Sequence, residues 1–112
     1  MDGHPIGDEE SFREFLRGAD EIKLTHHFRV ERLPLRPNIS KGLIEQYVRN
    51  PGKLVKFQYS DDGHSREKYE CLFDKSTKYL LKIVLSAENE TIFILTAHLI
   101  NKEREESFEN LL

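Results

Sequence analysis

Residues 79–99 read YLLKIVLSAENETIFILTAHL. Tyr79 to Leu85 is nearly continuously apolar, and so is Thr91 to Leu99, the stretch densest in β-branched and aromatic residues. Ala87-Glu88-Asn89-Glu90 between them supplies a polar turn. Two short apolar runs bounded by turn signals predict strands buried on both faces, at the centre of a sheet. Upstream, Leu54, Val55, Phe57 and Tyr59 predict another strand, and Asp61-Asp62-Gly63 a hairpin turn. Tyr69, Cys71 and Phe73 alternate with polar residues, so this strand has one wet face. Four consecutive strands make a four-stranded antiparallel meander the expected sheet.

The period before residue 54 is helical. Ser11-Phe12-Arg13-Glu14 fits a capping box, Phe12, Phe15 and Leu16 share a helix face, and Gly18 supplies a stop. Thr25 can cap a second helix carrying His26 to Leu33, which Pro34 and Pro37 keep short. Ser40 predicts the N-cap of a third helix, with Leu43, Ile44, Tyr47 and Val48 on one side and Asn50-Pro51-Gly52 as its end. Asn101 to Leu112 predicts a charged closing helix with Phe108, Leu111 and Leu112 on its apolar side. The expected fold is therefore α+β: N-terminal helices, a four-stranded antiparallel sheet and a C-terminal helix, with the helices on one face. Residues 1–10 read as a flexible leader and 11–112 as a single domain.

At 112 residues, 33% of them charged and 38% hydrophobic, the chain is long enough for one core without staples. No apolar run approaches the roughly 18 residues that span a bilayer. The acidic, polar start lacks the pattern of a signal peptide. A single cysteine, Cys71, excludes an internal disulfide and points to a reducing compartment, so the expected location is cytoplasmic. Cys71 lies between Tyr69 and Phe73 at strand spacing and reads as a small core residue.

Charge is unevenly placed. Lys23 to Lys56 holds eight basic and two acidic residues, a net of +6, whereas the chain as a whole carries −3. Within that island stand His26, His27, Arg29, Arg32 and Arg36. A cationic island in an acidic protein is the footprint of a site for a polyanion. Metal binding is disfavoured: the five histidines are scattered, there is no cysteine pair, and no cofactor motif occurs.

Two stretches carry a resemblance. Leu24-Thr25-His26-His27-Phe28 with Arg29, Arg32 and Arg36, then Ile39-Ser40 and a helix ending at Asn50-Pro51, resembles a small family of α+β domains with an N-terminal His/Arg motif. Ile94-Leu95-Thr96-Ala97-His98, followed by Lys102-Glu103-Arg104 and Phe108, resembles the last strand and helix of BrnT-type toxins. Those are compact ribonucleases of bacterial toxin–antitoxin systems with a RelE-like helix-plus-antiparallel-sheet fold. Together the two similarities cover about residues 24–108. The chain departs from them at His98, where the pattern has an arginine, and at Pro34, which interrupts a helix that is usually unbroken.

The resemblance implies a metal-independent endoribonuclease acting on RNA, with an antitoxin protein as partner. Such cleavage needs a base for the 2′-hydroxyl, an acid for the leaving 5′-oxygen and cations for the charge at phosphorus. His26 or His27, together with His98, are the candidate acid and base. Arg29, Arg32, Arg36 and Arg104 are the candidate phosphate clamps. Tyr47, Tyr59 and Tyr79 are candidates for stacking a base. Each has a plainer use as well. His26 and His27 diverge by about 100° on an α-helix, so at most one faces a shared site. The arginines can be taken up in solvated ion pairs, and the tyrosines can be half-buried strand residues. The alternative function is a non-catalytic domain that uses the basic segment to bind nucleic acid or an acidic protein. Convergence of a histidine and at least two arginines in one hollow would favour the enzyme; arginines pointing apart would favour the binder.

Overall fold

The computed structural model describes residues 7–61 and 67–102, with the side chains of Ser60, Asp61 and Glu67 left aside. Two α-helices, α1 (Glu9–Gly18) and α2 (Lys41–Arg49), are joined by a strand β1 (Glu21–Leu24) and a helical turn over Phe28–Leu35. Four strands follow: β2 (Leu54–Asp61), β3 (Glu67–Asp74), β4 (Tyr79–Glu88) and β5 (Thr91–Asn101). The sheet order is β1-β5-β4-β3-β2.

The architecture is α+β, but the sheet is not the expected four-stranded antiparallel meander. It has five strands and is mixed, because β1 runs parallel to β5 with Ile22 opposite Ile92 and Leu24 opposite Ile94. Glu21-Ile22-Lys23-Leu24 alternate polar and apolar, which is the strand period at its shortest, but nothing local supplies a pairing partner. The strand exists because β5 offers it an edge. Asp20 N–H donates to Glu90 O at 2.8 Å below the paired segment, and Thr25 N–H to Ile94 O at 3.0 Å above it.

The expected C-terminal helix is also corrected. Where that helix was to begin, β5 continues: Ile100 pairs with Leu80 and Asn101 with Tyr79. Lys102 then anchors to β3 and the β3–β4 turn, its amine 2.8 Å from Asp74 and its N–H donating to Lys78 O. No C-terminal helix occurs among the described residues, and 103–112 lie outside them.

The helix caps follow local chemistry. Asp8, not Ser11, starts α1, its carboxylate accepting the Ser11 N–H at 2.9 Å. That bond holds the Asp8 carboxyl below its ordinary value. Asp8 is thus the N-cap, and Glu9 and Glu10 form the first turn of α1. Ser40 caps α2 through the Leu43 N–H. Phe12 and Leu16 of α1, Ile44 and Val48 of α2 and Phe28 of the turn pack on one face of the sheet, against Tyr69, Cys71, Phe73, Leu81, Ile83, Leu85, Ile92, Ile94 and Ala97. Phe12 stacks on Phe57 at 4.2 Å between centroids, and Tyr47 meets Phe73 edge-on at 5.6 Å. Cys71 is fully buried, and burial pushes its thiol well above the ordinary range, so it is a core residue.

The pairing of β4 with β5 is interrupted once. Val84 is opposite Thr96 but Leu85 is opposite Ile94, so Leu95 is an extra residue in β5. A bulge reverses the inward–outward alternation beyond it. Ile92 and Ile94 face the core before the bulge, and Ala97 faces it after. Thr96 and His98 are thereby turned to the opposite side of the sheet, where His98 stands directly across from Lys82 of β4.

Candidate functional site

The cationic island folds into two places of different character. The first is the turn that leaves β1. Thr25 starts it, its hydroxyl accepting the Phe28 N–H at 3.3 Å and its carbonyl accepting the Arg29 N–H at 2.9 Å. From Phe28 to Arg32 the winding is that of a π-helix, closed by the Leu33 N–H donating to Phe28 O. Pro34 follows in a single 3₁₀ turn over Leu33–Leu35. Phe28, fully buried, is the one phenyl ring of this segment and pins it to the core.

The wider π turn sets residues five apart side by side. Arg32 Nε therefore reaches His27 Nε2 at 3.4 Å, and His27 Nδ1 lies 3.4 Å from Glu31 Oε1. Both imidazole nitrogens of His27 thus meet neighbours on its own turn, a donor on one side and an acceptor on the other. His26 and Arg29 are exposed, and no described residue pairs with either side chain. On the same segment Val30 is 47% and Leu35 74% exposed. The expectation of one α-helix from His26 to Leu33 missed this geometry, since nothing in the composition signals a π turn.

The second place is a cavity of about 260 Å³ between the bend after this turn and the far end of β5. Arg36, Asn38 and His98 supply its polar lining; Leu35, Ile39 and Leu99 belong to its apolar wall. Arg36 crosses to β5, where Nη1 donates to Ala97 O at 2.9 Å and to Thr96 Oγ1 at 3.2 Å. Here β1 has ended, and the guanidinium satisfies a carbonyl that no neighbouring strand reaches. His98 is half-buried. Its burial, and after that the Arg36 and Lys82 charges, hold the imidazole below its ordinary value, so it is neutral at pH 7.

The expected site residues are thus divided. Arg36 and His98 meet in the cavity; His27 and Arg32 meet on the exposed turn; His26 and Arg29 stand on that turn without partners among the described residues. None of His26, His27, Arg29 or Arg32 lines the cavity. Arg104 lies outside the described residues. Tyr47 and Tyr59 pack against Phe73 and Tyr69, and Tyr79 is 37% exposed at the start of β4. Asn38 and Lys82 were not anticipated: Lys82 comes to His98 only through the β4–β5 register.

Other cations of the island are engaged. Arg49 of α2 donates to the carbonyls of Arg17, Ala19 and Asp20, closing the end of α1. Lys23 and Lys41 lie 3.8 and 3.7 Å from Glu21 and Glu45 in exposed pairs. Among the described residues no group of three or more histidine, cysteine or carboxylate side chains could hold a metal ion, and no helix is long and apolar enough to cross a membrane. Compared with protein-family models, with curated proteins and with solved structures, the chain matches none.

Proposed function

We propose that this is a non-catalytic binding domain whose turn over residues 26–35 docks an acidic, partly apolar protein segment. The observation that carries the reading is the exposure of Val30 and Leu35, aliphatic side chains on the same helical segment as the exposed His26, His27, Arg29 and Arg32. Aliphatic surface gains by burial against protein, and arginine is enriched where proteins meet. Unpaired RNA asks instead for aromatic faces on which bases stack. The segment's only phenyl ring, Phe28, is turned into the core, which leaves the smaller imidazoles of His26 and His27 as its exposed rings. An endoribonuclease would need its acid, base and phosphate clamps around one scissile bond. The candidate histidines and arginines among the described residues are instead divided between a surface turn and a cavity, with one arginine beside His98.

The test uses two labelled probes: a peptide alternating glutamate and leucine, and a single-stranded oligoribonucleotide. The expected result is peptide binding weakened both by Arg29→Ala and by Val30→Ser. Oligonucleotide binding that falls with Arg29→Ala, ignores Val30→Ser and declines steeply with salt would replace this reading by a nucleic-acid one. Cleavage of the oligonucleotide by the pure protein with chelator present would replace it by the endoribonuclease of toxin–antitoxin type, whose acidic partner would then be an antitoxin.

A further inference from the structure

The cavity at the end of β5 adjoins the docking turn and shares Leu35 with it, but its polar lining lies outside residues 26–32 and suggests an occupant of its own. We propose that it is a site for a small oxyanion, a carboxylate or phosphate group on a short apolar body, held by Arg36, Asn38 and His98.

Three observations support this. First, Arg36 is already fixed: its bonds to Thr96 and Ala97 all leave from Nη1, and no other acceptor among the described residues engages the guanidinium. A guanidinium so oriented loses little freedom when a ligand takes its remaining N–H groups. Second, the His98 imidazole and the Asn38 amide make no hydrogen bond with the described residues, although both line the cavity. Donors left unmatched within a hollow are what an oxyanion's lone pairs require. Third, the electrostatic balance is positive. The charged groups facing His98 are Arg36 from the bend and Lys82 from β4. Lys82 is in turn met by Glu70 of β3 at 3.1 Å. The lining contains no carboxylate among the described residues. The apolar wall of Leu35, Ile39 and Leu99 leaves room beside the donors for hydrocarbon.

Binding is then linked to a proton. Arg36 and Lys82 disfavour a charge on His98 in the empty cavity, and an anion held beside Arg36 reverses the balance. The occupied site takes up a proton on His98 and binds more tightly as pH falls through the imidazole range.

Sulfate is the first probe, because it stays fully ionised from pH 5 to 8 and any pH dependence then belongs to the protein. The His98 ring proton is followed by NMR through a pH titration, with sodium chloride at equal ionic strength as the control. Sulfate should move the His98 titration upward where chloride does not, and should bind several-fold more tightly at pH 6 than at pH 8. Arg36→Gln should abolish both effects. Since Arg36 also ties the bend to β5, a second variant guards against misfolding: His98→Gln should still bind sulfate but with no pH dependence. A His98 titration that sulfate and chloride move equally overturns the proposal. A second arm compares acetate with butyrate, whose two further methylenes should improve affinity up to about tenfold against the apolar wall. Equal affinities would remove the apolar body and leave a site for the bare anion. The sulfate arm probes Arg36, Asn38 and His98, which the docking reading does not use, so Val30→Ser and Arg29→Ala should leave sulfate binding unchanged whatever they do to a protein partner.

Discussion

Arg29 and Arg36 stand seven residues apart in one basic segment and have opposite fates. Arg29 projects from the π turn into solvent, unpaired among the described residues. Arg36 reaches across to residues 96 and 97 and closes the edge of β5 where β1 stops. Arg49 does the same for the end of α1. The segment's charge of +6 therefore overstates the cation available to a partner. A buried or edge carbonyl without a strand partner is costly, and arginine, with five donors on a long arm, is the side chain able to reach it. In this protein, cations near strand and helix ends serve the fold, and those on the π turn remain exposed.

The largest test of that division is Phe28→Ala. Phe28 is the buried anchor beneath the exposed turn, and the change should cost about 3–5 kcal/mol, read as a lowered urea midpoint. It should also abolish partner binding at concentrations where the protein remains folded. A smaller loss, about 1.5–3 kcal/mol, is expected for Arg49→Met, which strips three carbonyls of a charged donor. If Arg49→Met unfolded at the wild-type midpoint, the claim that this arginine serves the fold would be lost.

The pH dependence of stability sharpens the comparison further. The folded state holds His98 below its ordinary value, so the unfolded chain takes up the proton first as pH falls. The stabilisation is complete above the ordinary imidazole pKa of about 6.5 and diminishes as pH falls through it. The urea midpoint of the wild type should thus drop between pH 7.5 and 5.5 relative to that of His98→Gln. Taking the difference removes other groups, among them Glu90, which neighbouring Asp20 raises and which acts in the opposite sense. Parallel curves for the two proteins would show that His98 is not held in this way. The smallest structural effect belongs to the turn: Arg29→Ala should stay within about 0.5 kcal/mol of wild type in stability. Its affinity for an acidic peptide should fall by less than about tenfold, measured by fluorescence anisotropy.

Residue patterns made much of the scaffold legible. Ser40 capped its helix as expected, Thr25 began its turn, and the apolar runs starting at Tyr79 and Thr91 formed adjacent strands. These features depend on neighbours within a few positions, which is the range over which period and capping chemistry operate. Strand β1 was not legible, since its pairing partner lies some seventy residues downstream. The closing helix was expected from charge and spacing, yet its first residue, Asn101, continues β5 because Tyr79 offers it a partner.

The candidate site divides in the same manner. That the segment after Leu24 would be cationic and interrupted by Pro34 is written in the chain. Which of its arginines would remain exposed is not. Arg36 was taken up by an acceptor 61 residues away, and Arg49 by one 30 residues away. His98 owes its surroundings to one extra residue, Leu95, in the pairing of β5 with β4. Without that bulge its alternation would put the imidazole on the core side, among Ile83 and Leu85, rather than beside Lys82 and Arg36. Composition set the charges and local pattern set the helices and strands, but register and long-range carbonyl capping are properties of the assembled sheet, and they decided where the chemistry stands.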